Sequence, residues 1–216
     1  MKQTDSKFFY IVIILGIAIE QFACKTAYTF FPDAPTQLGS RITEIVMLIV
    51  GLYLWKNTEF VQPGLGLKLS SVNKKKQVFY LFALSAVSFG LLFLARIIGQ
   101  QFIPGMAQRP YFGLYLNYTH RIYYPLVVIV QEILSKAVLQ YGIEKTLPEH
   151  KWVLAVIISS AIFGMLHVHT SAILMVGAFV LAAVSGIYYH YQKNIWAIMV
   201  VHFIFGFFAR SFGIVV

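Results

Sequence analysis

The chain has 216 residues, of which 59% are hydrophobic and only 12% charged, and its mean hydropathy is +0.74. A soluble domain of this size cannot bury so much apolar surface, so the composition excludes an ordinary soluble globular protein. The apolar runs are too long for barrel strands. They predict an all-α polytopic membrane protein, a bundle of about seven transmembrane helices.

Basic residues dominate the charge, because lysine and arginine number 17 against 8 for aspartate and glutamate. In a soluble protein this excess would suggest nucleic-acid binding. In a membrane protein it indicates basic loops that face anionic lipid, so we expect a lipid bilayer around the chain and no nucleic-acid partner. The single cysteine, Cys24, excludes an internal disulfide and a cysteine-rich metal site.

Seven apolar stretches predict one membrane domain over residues 1–216. They cover residues 8–24, 42–56, 77–99, 122–142, 152–168, 171–190 and 194–214. We expect the first stretch to remain as a helix, because Glu20 interrupts it and no clear cleavage site follows. Four lysines lie between the second and third stretches: Lys68, Lys74, Lys75 and Lys76. The positive-inside rule therefore places this loop and the N-terminus in the cytoplasm.

Three C-terminal stretches carry ionisable side chains at bilayer depth, where each costs about 2.5–3.5 kcal/mol. Glu132 and Lys136 stand four residues apart on one helix face and can form an ion pair. His167, with His169 just beyond it, and His202 lie on two further stretches. Because such residues usually face a common interior, they predict one polar site on three helices. The alternative is that they are buried structural residues.

The chemistry of this set suits hydrolysis. A carboxylate beside a neutral imidazole can take a proton from water, and imidazole N–H groups can stabilise an oxyanion. A Glu, His, His set can also bind zinc, and two facing histidines can hold haem, so spacing alone leaves these alternatives open. We favour a site without a cofactor, because Lys136 next to it would repel a metal cation.

The order of these residues resembles the signature of the CPBP family. This family comprises CAAX-protease-like and bacteriocin-processing intramembrane proteases and is also called the Abi family. Its signature reads Glu-Glu-x-x-x-Arg, then Phe-x-x-x-His, then His-x-x-x-Asn or Asp. The matching positions here are Gln131, Glu132 and Lys136, then Phe163 and His167, then His202 and Gly206. The resemblance covers residues 122–210, which it identifies as a CPBP-like catalytic core.

What the resemblance implies is a hydrolase, a glutamate-dependent endopeptidase that works inside the bilayer. In the family a glutamate and a histidine activate water without a metal, and the last motif supports the oxyanion. By this resemblance Glu132, His167 and His202 are catalytic, and Lys136 orients Glu132. The implied substrates are membrane-associated peptides or proteins, such as prenylated CAAX proteins or bacteriocin leaders. The implied location is a bacterial plasma membrane.

Three positions depart from the family signature. Gln131 replaces the first glutamate and cannot accept a proton at neutral pH. Lys136 keeps the charge of the arginine but loses its bidentate fork. Gly206 replaces the asparagine and has no side-chain donor. In an active site of this kind Glu132 would be the base, and Gln131 would position substrate or donate to the oxyanion. The alternative is an inactive CPBP-like membrane scaffold, a bacteriocin immunity factor or a regulator of a partner membrane protein.

Overall fold

The computed structural model describes residues 2, 4–33, 37–68, 73–102, 105–113, 118–168 and 172–214. Within these residues every regular element is helical and no β-strand occurs, which confirms the predicted all-α membrane bundle. The α-helices are α1 (Ser6–Phe30), α2 (Gln37–Asn57), α3 (Lys74–Phe102), α4 (Tyr118–Glu132), α5 (Tyr141–Thr146), α6 (Trp152–Met165), α7 (Ala172–Gln192) and α8 (Trp196–Ser211). A π-helical segment (Ile133–Gln140) joins α4 to α5, and short 3-10 turns cover Pro63–Gly66 and Glu149–Lys151.

Five helical stretches in the described residues are long and apolar enough to cross a bilayer. They are Ser6–Phe30, Leu38–Asn57, Lys74–Phe102, Tyr123–Thr146 and Ala172–Gln192. All five coincide with predicted spans. The other two predicted spans correspond to α6 with 14 residues and α8 with 16, which are shorter than the about 20 residues of a full crossing. The chain is a multi-pass membrane protein.

Two compact units make up the chain. The first comprises Met1–Lys68 and Val130–Lys193, and the second comprises Leu69–Ile129 and Asn194–Val216. The predicted single membrane domain does not distinguish these units. Their boundary falls within α4, so most of that helix belongs to the second unit and its last turn to the first.

In the first unit α1 packs along α2 through one helical face. The buried positions of α1 recur every three or four residues: Phe9, Ile13, Gly16, Glu20 and Cys24. A Cβ on Gly16 would lie 2.6 Å from Val50 Cγ2, so glycine permits the close approach of the two helices. Glu20 is fully buried and accepts hydrogen bonds from Thr43 Oγ1 at 2.5 Å and Cys24 Sγ at 3.3 Å. The α1–α2 pair is thus held by both apolar and polar contacts.

The π-helical segment of the first unit contacts α2, α6 and α7. Gly51 of α2 packs directly on Leu134, because a Cβ at residue 51 would overlap with Leu134 Cδ2. Three residues after α2 ends, the Phe60 carbonyl oxygen would lie 2.9 Å from a Cβ on Gly142 of α5. The chain that leaves α2 therefore reaches α5, and α2 runs parallel to the α4–α5 stretch.

Also in the first unit, α6 and α7 form a closely packed antiparallel pair. A Cβ on Gly164 would lie 2.9 Å from the Met175 carbonyl oxygen, and one on Gly186 would lie 3.0 Å from Val156 Cγ1. Small residues let helix backbones approach in this way inside membranes. The end of α6, where the second motif lies, is therefore fixed against α7.

In the second unit α3 packs against α8. The ring centroids of Phe89 and Phe208 lie 4.5 Å apart across this interface. Arg96 of α3 is fully buried and donates from Nη2 to the Arg109 carbonyl oxygen at 2.7 Å. Arg109 in turn donates from Nη1 to the Gly213 carbonyl oxygen at 2.9 Å. These bonds connect the end of α3 to the segment that follows α8.

Candidate active site

A cavity in the first unit collects polar side chains from separate segments of the chain. Its volume is about 50 Å³, which is room for about three ordered water molecules. Most of its lining is apolar, and the polar side chains among the described residues that line it are Thr43, Glu44, Gln131, Ser135 and His167. An apolar pocket with a few convergent polar groups is the usual form of a binding or catalytic site.

Residues of two predicted motifs meet at this cavity. Gln131 reaches it from the last turn of α4, and Phe163 and His167 reach it from the end of α6. His167 Nδ1 lies 2.8 Å from the Phe163 carbonyl oxygen. Because a carbonyl oxygen only accepts, Nδ1 carries the proton, and Nε2 is the acceptor nitrogen of the neutral ring. The Phe-x-x-x-His spacing therefore orients the imidazole and fixes its tautomer.

The second residue of the first motif, Glu132, does not line this cavity. It is buried, with 2% of its surface exposed, and its negative charge attracts Lys136. Lys136 is fully buried, and its Nζ donates to the Ala182 carbonyl oxygen at 2.7 Å. Four residues on, Gln140 Nε2 donates to the Gly186 carbonyl oxygen at 2.8 Å. Lys136 and Gln140 thus fasten the π-helical segment to α7.

The third motif, His202 and Gly206, lies on α8 in the second unit. His202 is 6% exposed, and its ring stands edge-on to that of Tyr124 at a centroid distance of 6.4 Å. A Cβ on Gly206 would overlap with Tyr124 Oη. The tyrosine hydroxyl therefore occupies the space that an asparagine side chain at residue 206 would need. This contact gives a steric reason for the departure from the family signature.

The remaining predicted supporting residue, His169, lies outside the described residues. In the part of the chain that the structure describes, no three His, Cys, Asp or Glu side chains are grouped as metal ligands would be. The expectation of a site without a cofactor stays a prediction.

Three polar residues of the cavity were not predicted as site residues: Thr43, Glu44 and Ser135. For Glu44 the sequence did carry a signal, since it is a charged residue inside the apolar stretch 42–56. Its Oε2 accepts a hydrogen bond from Arg41 Nη1 at 2.6 Å, one turn earlier on α2. The described lining of the cavity thus includes one acidic residue, and α2 supplies it.

The part of the chain that carries the three motifs matches a known protein family. Residues 123–208 match the family model described as type II CAAX prenyl endopeptidase Rce1-like. The matched segment runs from α4 to α8 and contains all three motifs, which confirms the resemblance to the CPBP intramembrane proteases. Glu44 lies outside it. No curated protein and no solved structure matches the chain.

Proposed function

We propose, from the match of residues 123–208 to the family model of type II CAAX prenyl endopeptidase Rce1-like proteins, that this protein hydrolyses peptide bonds of membrane-associated peptides or proteins. The reaction depends on a glutamate and on His167. The observation that carries the proposal is the cavity of about 50 Å³ whose lining includes Gln131 and His167, from two separate motifs.

The geometry of the cavity suits water activation. A glutamate takes one proton from a cavity water, whose oxygen bonds to the scissile carbonyl carbon. His167 Nε2 accepts a hydrogen bond from the same water, because Nδ1 is directed to the Phe163 carbonyl oxygen. Gln131 donates an amide N–H to the carbonyl oxygen as negative charge develops on it. The largely apolar lining lowers the local dielectric constant and strengthens these interactions.

The motif positions assign further roles. By its place in the first motif Glu132 is a candidate for the carboxylate, and by its place in the third motif His202 supports the oxyanion. We propose lipidated or apolar peptides as substrates, because a cavity in a membrane protein is reached most readily by a substrate that partitions into lipid. We also propose a bacterial plasma membrane with the N-terminus in the cytoplasm.

Peptide cleavage by the purified protein in detergent tests the function. The peptides are a farnesylated CAAX peptide and a pool of double-glycine leader peptides. Wild type is compared with His167→Ala and with His150→Ala, which removes an exposed histidine outside the cavity. We expect the wild type and His150→Ala to cleave alike, and His167→Ala to lose at least about 100-fold in rate.

Two results would contradict the proposal. Equal rates for His167→Ala and wild type would remove the histidine from the mechanism. Cleavage of neither peptide class by the wild type would instead favour the inactive membrane scaffold, which acts by binding a partner. Melting temperatures of all three proteins establish that a loss of rate is not a loss of fold.

A further inference from the structure

We infer that Glu44 of α2 is the general base of this site and replaces the glutamate that the first motif lacks. The inference rests on the proposed peptidase function and names its proton acceptor. Among the described residues that line the cavity, Glu44 is the only carboxylate. Gln131, at the position of the family glutamate, shares the cavity but cannot accept a proton.

The face of α2 that carries Glu44 is directed towards the motif residues. The α2 residues that line the cavity are Thr43, Glu44, Met47, Val50 and Gly51. Their spacing of one, three, three and one residues defines a single helical face. Gly51 on this face packs on Leu134. Since α2 runs parallel to the α4–α5 stretch, the earlier part of the face lies beside the last turn of α4, where Gln131 is located.

The Glu44 side chain is largely buried, and a hydrogen bond restrains its carboxylate. Its side chain is 16% exposed, and Arg41 Nη1 donates to Oε2 at 2.6 Å. This bond restrains one oxygen, while the lone pairs of Oε1 are suited to accept a proton from water. The family signature has a glutamate and an arginine where this chain has Gln131 and Lys136. The Arg41–Glu44 pair on α2 carries the same two functional groups, and Glu44 is the member of the pair that lines the cavity.

The proposed step consumes only water and the peptide, and the proton that Glu44 accepts is passed on within the site. As the water oxygen bonds to the scissile carbonyl carbon, one water proton moves to Glu44 Oε1. The C–N bond then breaks, and Glu44 passes this proton to the leaving amine, which restores the carboxylate. The products are one carboxylic acid and one amine, with no other reactant consumed. In this scheme Glu132 is a buried negative charge that attracts Lys136, in keeping with its place outside the cavity lining.

The test is the same peptide assay with isosteric variants. Glu44→Gln removes the proton acceptor, and Glu59→Gln is the matched control, because Glu59 is exposed and outside the cavity lining. We expect Glu44→Gln to lower kcat at least about 100-fold with an unchanged melting temperature, and Glu59→Gln to keep the wild-type rate. Adding Gln131→Glu to Glu44→Gln should restore cleavage, since it returns a carboxylate to the same cavity.

The outcomes separate this inference from the proposed function. If Glu44→Gln is fully active and Glu132→Gln is inactive, the assignment of Glu44 as general base is wrong. The proposed peptidase function then holds, with Glu132 as the base. A Glu44→Gln that loses both rate and melting temperature, without rescue by Gln131→Glu, shows a structural role and also overturns the inference. If the wild type cleaves nothing, the peptidase function fails and Glu44 fails with it.

Discussion

Lys136 of the first unit is a buried cation whose position is fixed by its surroundings. It has no exposed surface, it donates to the Ala182 carbonyl oxygen, and it is attracted by Glu132. A buried ammonium is tolerated only with such compensation, because removing one partner leaves an uncompensated charge inside the protein. The family has arginine at this position. The single amine of lysine fits one carbonyl acceptor, so Lys136 has a well-defined structural role here.

Replacing Lys136 should therefore cost stability. We expect Lys136→Met to lower the free energy of unfolding by about 1–3 kcal/mol, because the Ala182 carbonyl oxygen loses its donor and buried Glu132 loses a nearby positive charge. The double variant Glu132→Gln, Lys136→Met should recover part of this loss, since neither charge is then present. Thermal unfolding in detergent measures both. Equal melting temperatures for the wild type and the single variant would contradict this role of Lys136.

Individual site residues were predictable from sequence to different degrees. Gln131, Phe163 and His167 line one cavity. Phe163 and His167 are neighbours because residues four apart on a helix lie on one face, whereas the approach of Gln131 to them depends on tertiary packing. The motif spacing could not decide which of the adjacent residues 131 and 132 faces the cavity. It also did not select Glu44, because the helix that α2 meets is set by packing of distant segments.

At the scale of elements, the main departure from prediction is the π-helical segment. The sequence predicts one helix over residues 122–142, whereas the structure has α4, the π-helical segment and α5 in succession. Hydrogen bonds from i to i+5 change the angular spacing of side chains, so an α-helical period no longer assigns faces after residue 132. Nothing in the composition of this segment indicates the change, and π-helical turns often lie at functional sites.

Because α2 packs on the π-helical segment, we expect two glycines to differ in how their substitution changes the melting temperature. A Cβ on Gly51 would overlap with Leu134 Cδ2, whereas a Cβ on Gly90 of α3 would meet nothing within 4 Å. We expect Gly51→Ala to lower the melting temperature, and Leu134→Ala to restore part of it in the double variant. Gly90→Ala should match or exceed wild type, because alanine is favoured over glycine in a helix by about 0.5–1 kcal/mol. Equal behaviour of the two glycine variants would contradict the close contact.

For the whole molecule, composition alone was sufficient to predict a helical membrane protein. Five of seven predicted spans have full length, and the exceptions are α6 and α8. Hydropathy detects these two as apolar but overestimates their length, because the flanking turns are apolar too. The division into two units was not predicted, since units are defined by contacts between segments far apart in sequence.

The orientation of the molecule in its membrane is a testable consequence of charge. α3 carries the exposed Lys75 in its first turn and has 29 residues, so its two ends can lie on opposite sides of a bilayer. In a Cys24→Ser background, we expect Lys75→Cys to react with an impermeant maleimide only after the cells that express the protein are permeabilised. Ala107→Cys, exposed beyond the other end of α3, should react without permeabilisation. The reverse pattern would invert the predicted topology.

The contact between Tyr124 and Gly206 restricts the order in which this sequence can change. An asparagine at residue 206 cannot coexist with the tyrosine hydroxyl in its present place, because even a Cβ would overlap with it. Along any path of single substitutions from the family signature, glycine at 206 must therefore precede this placement of Tyr124. The reverse path requires Tyr124 Oη to move away from residue 206 first, by a change of rotamer or by substitution. The two positions, 82 residues apart in the chain by subtraction of their numbers, are therefore coupled: a change at one depends on the state of the other.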